Sequence, residues 1–215
     1  MIRKRGALLA LLATAGTFAV ASGSAAAAGA NCVYPLDLVS QNQDLSSCNL
    51  RGAAISAVSA LSGSNLTGAN VSGATVTGFL ALDAANLTGA NLNGAAVSGI
   101  SALDAANLAG ANLNRVDVSG FDALDSAILT DVNLNRATLS GELAAAGATL
   151  AGANLTDATI SGLAALLDAN LTNADLRGAA VTGSFALFGA TYANTICPDG
   201  SNSDSDAGTC VGHGV

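Results

Sequence analysis

Residues suited to acid–base or nucleophilic catalysis are scarce in this sequence. The single histidine, His213, lies close to the C-terminal end. No serine in the repetitive middle of the chain has a histidine partner, and no cysteine lies near a histidine in an arrangement that could activate a thiolate. We therefore expect that the protein is not an enzyme and that it has no catalytic residues.

Three aspartates recur at one fixed interval along the sequence and could bind a divalent cation. They are Asp83, Asp104 and Asp125, and Asp122 lies near the last of them. If each interval corresponds to one turn of the chain, their carboxylates stack about 4.8 Å apart. Adjacent like charges are unfavourable unless water or a cation separates them. The ladder predicts either a calcium site or a solvated acidic face, and no other cofactor is indicated.

A second carboxylate-rich segment lies between Cys197 and Cys210. Asn202, Asp204 and Asp206 alternate along it, as oxygen ligands do in a calcium-binding loop. However, the glycine of such a loop is missing, and no glutamate closes a twelve-residue motif. A polar turn closed by a disulfide is the alternative to calcium, and the sequence favours it.

The four cysteines form two local pairs near the two ends of the chain. An even number of cysteines in an exported chain indicates disulfides. We predict the pairs Cys32–Cys48 and Cys197–Cys210. A zinc site of four cysteines is the alternative, but it lacks the closely spaced ligand pairs that such sites use.

A 21-residue repeat positions these side chains. One column of leucines recurs at that interval, and two further aliphatic columns follow it at distances of five and ten residues. The first column consists of Leu45, Leu66, Leu87, Leu108, Leu129, Leu150 and Leu171. Each repeat therefore divides into segments of five, five, five and six residues. A five-residue period fits neither an α-helix nor a long strand, but it fits a four-sided coil in which residues i and i+2 of each side point inward.

These segments resemble the pentapeptide-repeat family, whose motif is A-(D/N)-L-x-x. Ala85-Asn86-Leu87-Thr88-Gly89 is one example, and the resemblance covers residues 43–189. It implies an all-β fold, a right-handed quadrilateral parallel β-helix of about seven coils, roughly 34 Å long at about 4.8 Å per coil. The six-residue fourth side departs from the motif and resembles a regularly repeated bulge. The sequence does not determine which of its side chains point inward.

The third side of the coil has a row of hydroxyl groups. This row resembles the T-x-T surface of β-solenoid ice-binding proteins, although alanines and an aspartate interrupt it. The pairs are Thr75 and Thr77, Ala96 and Ser98, Asp117 and Ser119, Thr138 and Ser140, Thr159 and Ser161, and Ala180 and Thr182. The alternative is an ordinary outward β surface, where threonine is common.

Large apolar residues gather on the six-residue sides of the last two coils. They are Leu163, Leu167, Phe185 and Phe188. An exposed apolar patch would serve as an interface, for example in a homodimer. The alternative is a patch that the C-terminal cap covers.

Residues 1–30 have the pattern of a secretory signal peptide. A basic start is followed by an apolar run and then by small residues, with cleavage after Ala28 or Ala30. We predict that residues 31–42 form an N-terminal cap, that 43–189 form the β-helix, and that 190–215 form a C-terminal cap and tail. No later segment is apolar enough to span a membrane. The expected localisation is secreted or periplasmic, as for an exported bacterial protein.

Without this leader, four arginines face 15 acidic residues, which gives a net charge of −11. Binding to nucleic acid through phosphates is therefore not expected. Some pentapeptide-repeat proteins mimic DNA and act on topoisomerase, but that target is cytosolic, and export disfavours this function. The sequence instead indicates an exported, non-catalytic structural or interaction module that presents a rigid polar surface to an unknown protein or surface partner. A binder of divalent cations or of ice is the alternative.

Overall fold

The 21-residue interval of the sequence is the register of the backbone pairing. A computed structural model describes residues 40–214, and seven two-residue strands there form one parallel sheet in chain order. Ala54 pairs with Thr75, Thr75 pairs with Ala96, and the same step continues to the last strand. The strands are β1 (Ala54–Ile55), β2 (Thr75–Val76), β3 (Ala96–Val97), β4 (Asp117–Val118), β5 (Thr138–Leu139), β6 (Thr159–Ile160) and β7 (Ala180–Val181).

Two further sides of each coil pair in parallel through single bridges, such as Asn65 with Asn86 and Asn70 with Asn91. The six-residue side consists of turns, and it is joined to the next coil by bonds such as the one from the Leu82 amide to the carbonyl oxygen of Ala102, at 2.7 Å. The predicted four-sided parallel solenoid is thereby confirmed. Its pairing continues beyond residue 189 into an incomplete eighth coil, through Thr191 and Ile196.

The axis of the solenoid is filled by aliphatic side chains. The leucine, valine and isoleucine columns of the inner coils are fully buried, and alanines fill the layers between them. On the six-residue side, two consecutive residues point inward, since Ala81 and Leu82 are both fully buried. This arrangement needs a bend on each flank, and Leu80 and Ala84 supply it with φ angles of 54° and 53°. Left-handed conformations of non-glycine residues cost about 1–2 kcal/mol each, so the surrounding ladder must enforce them.

A column of glycines forms the corner between the third and fourth sides. A Cβ atom at Gly78 would overlap the carbonyl oxygen of Ala57, one coil earlier, and a Cβ atom at Gly99 would overlap that of Gly78. The backbones of successive coils therefore touch here with no room for a side chain. The other members of the column are Gly120, Gly141, Gly162 and Gly183. Ala57, in the first described coil, is the member that has a side chain.

The C-terminal segment folds back against the last coils. The predicted Cys197–Cys210 disulfide is confirmed, with Cα atoms 5.2 Å apart. The buried hydroxyl of Thr195 donates a 2.8 Å hydrogen bond to the carbonyl oxygen of Leu171. A single 3-10 turn covers Ser203–Ser205.

Several N-terminal predictions lie outside the described residues. The signal peptide does so entirely, and the N-terminal cap does so up to residue 39. Cys48 is buried and disulfide-bonded, whereas Cys32 lies outside the described part, so the predicted pair Cys32–Cys48 stays a prediction. Within residues 40–214, no helix has the length and apolar character needed to cross a bilayer.

Candidate interaction surfaces

The acidic ladder lies on the six-residue side of three successive coils. Asp83, Asp104 and Asp125 are each partly buried, and none of them is free of interactions within the protein. Within the described residues, no group of three or more histidine, cysteine or acidic side chains is placed to hold a metal ion. Calcium binding along this ladder stays a prediction without geometric support.

Asp122 is the centre of an acidic cluster that the repeat interval did not reveal. Burial raises the pKa of its carboxyl group, and the nearby charges of Asp125 and Glu142 raise it further. The main-chain amide of Asp122 donates to the carbonyl oxygen of Glu142, at 3.1 Å, which brings the next coil close. Glu142 lies one position short of a full repeat from Asp122, so a search at the repeat interval misses this contact.

The polar loop of the C-terminal cap uses its side chains to hold its own backbone. Asn202 Oδ1 accepts a hydrogen bond from the Asp204 amide at 2.9 Å. Asp204 Oδ1 accepts one from the Asn194 amide at 2.8 Å. Asp206 Oδ1 lies 3.8 Å from His213 Nε2. These contacts hold the loop as a polar turn closed by the disulfide, and calcium binding by Asn202, Asp204 and Asp206 stays a prediction.

His213 folds back onto the same cap. Its Nδ1 atom lies 3.1 Å from Asp199 Oδ2 and 3.2 Å from Ser201 Oγ. A catalytic Ser–His–Asp arrangement needs the serine and the carboxylate on opposite ring nitrogens, but here both contact the same one. The pKa of Asp199 is lowered, first by hydrogen bonds from the amide and hydroxyl groups of Ser201 and then by His213. The geometry is that of a clamp on the C-terminal tail.

The hydroxyl row of the third side consists of two parallel columns, of which one is regular and the other is interrupted. The regular column has a hydroxyl group in every coil, and all seven side chains are exposed. The members are Ser56, Thr77, Ser98, Ser119, Ser140, Ser161 and Thr182. The irregular column is interrupted by Ala96, Asp117 and Ala180, as the sequence indicated.

A ladder of amide side chains runs along the corner between the second and third sides. Asn93 Nδ2 donates to Asn114 Oδ1 at 3.1 Å, and Asn114 Nδ2 donates to Asn135 Oδ1 at 3.0 Å. Asn135 continues the ladder to the hydroxyl of Thr156, at 2.7 Å. These polar groups therefore bond to one another along the rod. Their recurrence in successive coils is visible in the sequence as a column of Asn and Thr.

The predicted apolar interface lies at the C-terminal end of the rod. Phe185 and Phe188 are 69% and 66% exposed, and their rings are nearly perpendicular, with centroids 6.3 Å apart. Leu163 is exposed and Leu167 is half-buried. Val211 and both phenylalanines line a shallow pocket of about 270 Å³. The cap leaves the two phenylalanines exposed, so it does not cover the patch.

Comparisons with known proteins agree with this architecture. The family model described as pentapeptide repeats matches residues 82–122 and 101–141, in eight copies overall. No curated protein matches the chain at a significant level.

Among solved structures, the chain is similar to HetL, a pentapeptide repeat protein involved in heterocyst differentiation regulation from the cyanobacterium Nostoc sp. strain PCC 7120. That match has 24% identity, covers 77% of this chain and 92% of HetL, and has a TM-score of 0.27. QnrB1, a plasmid-mediated fluoroquinolone resistance protein, matches with 20% identity over 72% of this chain and 79% of its own, with a TM-score of 0.28. A pentapeptide repeat protein from the Arabidopsis thaliana thylakoid lumen matches with 28% identity over 55% of this chain and 67% of its own, with a TM-score of 0.18.

Because these TM-scores are low, none of these structures indicates the function of this chain. Three findings together establish the family, but not the function: the repeated A-(D/N)-L-x-x segments, their parallel pairing and the family match. The chain belongs to the pentapeptide-repeat proteins and builds its solenoid from 21-residue coils.

Proposed function

We propose that this protein is an exported, non-catalytic interaction module. The observation that carries the proposal is the filled axis: in the inner coils, the side chains that point inward are aliphatic or alanine and are fully buried. Ligand sites are normally concave and hold a few converging polar groups, and the interior offers no room for one. Recognition must therefore use the outward columns. Pentapeptide-repeat proteins are generally not enzymes, which agrees with this function.

Export is supported by the sequence pattern of residues 1–30 and by the Cys197–Cys210 disulfide, since such bonds persist in oxidising compartments. Fractionation of cells that express the full chain, followed by N-terminal sequencing, tests this. We expect a product that begins at Gly29 or Asn31 outside the cytoplasm. A variant that lacks residues 1–30 is the control and should stay inside. Full-length protein in the cytoplasmic fraction would refute export.

Binding to an ordered surface such as ice is the second candidate, and the regular hydroxyl column favours it. All seven hydroxyl-bearing side chains of this column are exposed, and they follow one another at about 4.8 Å per coil. Thermal hysteresis of the mature protein tests this function. If the row binds ice, Ser98→Lys with Ser119→Lys should abolish the hysteresis, whereas Ile128→Lys on the first side should preserve it. An unmodified protein without hysteresis would rule out ice as the ligand.

A further inference from the structure

A second apolar surface runs along the rod and meets the patch at its end at Leu163, which belongs to both. It is formed by the first residue of the six-residue side in five of the seven coils: Val58, Phe79, Ile100, Phe121 and Leu163. Four of the five side chains are between 42 and 64% exposed, and Phe79 is half-buried. Single exposed hydrophobic residues are ordinary, but an aligned column that only Glu142 interrupts between its first and last members indicates a contact surface. At about 4.8 Å per coil, this apolar column is roughly 24 Å long.

The backbone holds this column in a fixed position. Each member directly follows a residue of the corner column, where Gly78 and its successors leave no side chain. Each member also precedes a residue in the left-handed conformation, such as Leu80 or Asp122. The parallel pairing fixes the register of the column, and the glycine corner provides no side chain that could cover it on that side.

The charge around the column is of one sign. Glu142 takes the place of an apolar residue within the column, and Asp122 follows Phe121 directly. The six-residue sides also contain Asp83, Asp104, Asp125 and Asp168. None of the arginines in residues 40–214 lies on these sides, because Arg51, Arg115, Arg136 and Arg177 all precede the third side. The fourth face of the rod is therefore apolar and acidic, whereas the positive charge is kept elsewhere.

We propose that this fourth face binds a cationic amphipathic polypeptide segment of a partner protein, a partner class that rests on the proposed interaction function. The apolar column would bury the hydrophobic side chains of the segment, and the flanking carboxylates would pair with its lysines or arginines. A second copy of the chain does not fit here, because it would bring the same acidic groups against their like. Nucleic acid is excluded by the same charge.

The pKa of Asp122 supports this assignment. Burial and the charges of Asp125 and Glu142 raise it. A cation that settles between these groups would relieve their repulsion, which adds an electrostatic gain to the apolar contact. The mutual repulsion of these carboxylates is greatest where Glu142 interrupts the apolar column.

Three synthetic peptides of equal length separate the contribution of the apolar contact from that of the charge attraction. The first alternates leucine and lysine, the second leucine and glutamate, and the third serine and lysine. We expect the mature protein to bind the leucine–lysine peptide at least ten-fold more tightly than either of the others in titration calorimetry. Equal binding of the serine–lysine peptide would mean attraction by charge alone and would overturn the proposal, as would no binding of the leucine–lysine peptide.

Matched variants locate the site. Ile100→Ser with Phe121→Ser should weaken binding at least ten-fold, whereas Ile128→Ser, an exposed residue of the first side, should leave it unchanged. Asp122→Asn with Glu142→Gln should weaken binding and reduce its dependence on salt concentration. Asp131→Asn with Asp157→Asn is the control, because it removes the same number of negative charges away from the fourth face. Melting curves establish that each variant is folded. An equal loss in the test and control variants would refute the site, while the fractionation experiment on export would be unaffected.

Discussion

The α-carbon of Gly120 faces the carbonyl oxygen of Gly99 so closely that a Cβ atom at residue 120 would overlap it. The same relationship joins each glycine of the corner column to the preceding coil. It explains why this position is glycine in six successive coils although its backbone conformation does not require one. The requirement is close approach of two backbones, which cannot move apart without breaking the ladder on both sides.

Gly120→Ala should therefore be strongly destabilising. Overpacking of a rigid site typically costs about 1–3 kcal/mol, and we expect a loss of about 3 kcal/mol in the free energy of unfolding, because the obstructing atom belongs to the backbone. Gly94→Ala is the matched control. Gly94 has a φ of 64° and open space around its Cβ position, so it should lose only the 1–2 kcal/mol or so of left-handed strain. Chemical denaturation compares them, and equal losses would contradict the explanation.

Asp122→Asn should stabilise the protein at neutral pH. The pKa of this carboxyl group is raised by burial and by Asp125 and Glu142. A carboxyl group whose pKa is higher in the folded state binds protons more readily when folded, so its ionisation lowers stability as pH rises through that pKa. Removal of the charge should increase the free energy of unfolding by several tenths of a kcal/mol or more at pH 7.

The gain should shrink as pH falls and Asp122 becomes protonated in the unmodified protein. Melting temperatures of both proteins from pH 7 down to about pH 4 check this, with Asp131→Asn as the control for removal of one exposed carboxylate. Asparagine tolerates the left-handed conformation about as well as aspartate does, so a gain that does not vary with pH would show that repulsion is not the cause.

The regular part of this fold could be predicted from the sequence because one interval constrains dozens of residues. Leu87 and Leu108 indicate the same register as Asn86 and Asn107, and the pairing follows it. The six-residue side resisted prediction because its geometry depends on left-handed residues such as Leu80, which have no distinctive side chain. The surfaces were predicted unevenly for another reason. Asp122 and Glu142 meet one position short of the repeat interval, which is the offset between an amide of this side and the carbonyl that it bonds in the next coil, so a column read at 21 residues does not place them together.

Reduction of the Cys197–Cys210 disulfide should loosen the cap without unfolding the rod. The bond closes a loop of sequence separation 13, for which about 3 kcal/mol of stabilisation is typical. The coils are stabilised mainly by contacts with their neighbours, so Cys197→Ser with Cys210→Ser should increase amide exchange in residues 197–214 and leave the amides of β2 to β6 protected. Ser203→Ala serves as the comparison variant, because it keeps the disulfide. It removes only a buried hydroxyl that accepts a 3.1 Å hydrogen bond from the Thr195 amide. Loss of protection throughout the rod would show that the cap is essential for folding.

The exposed phenylalanines at the end of the rod predict self-association. Phe185 and Phe188 lie on the last complete coil, beside β7, which ends the sheet, and the cap leaves both side chains in solvent. Two copies that meet through this end would bury both aromatic pairs and would keep the acidic ladder residues Asp83, Asp104 and Asp125 several coils away from the contact. We expect the mature protein to be dimeric in light scattering, and Phe185→Ser with Phe188→Ser to be monomeric. Ile100→Ser with Phe121→Ser removes a similar pair of exposed apolar side chains from the fourth face, several coils away, and should leave the dimer intact. A mature protein that is monomeric at all concentrations would refute the dimer. A dimer that only Ile100→Ser with Phe121→Ser disrupts would place the contact on the fourth face instead.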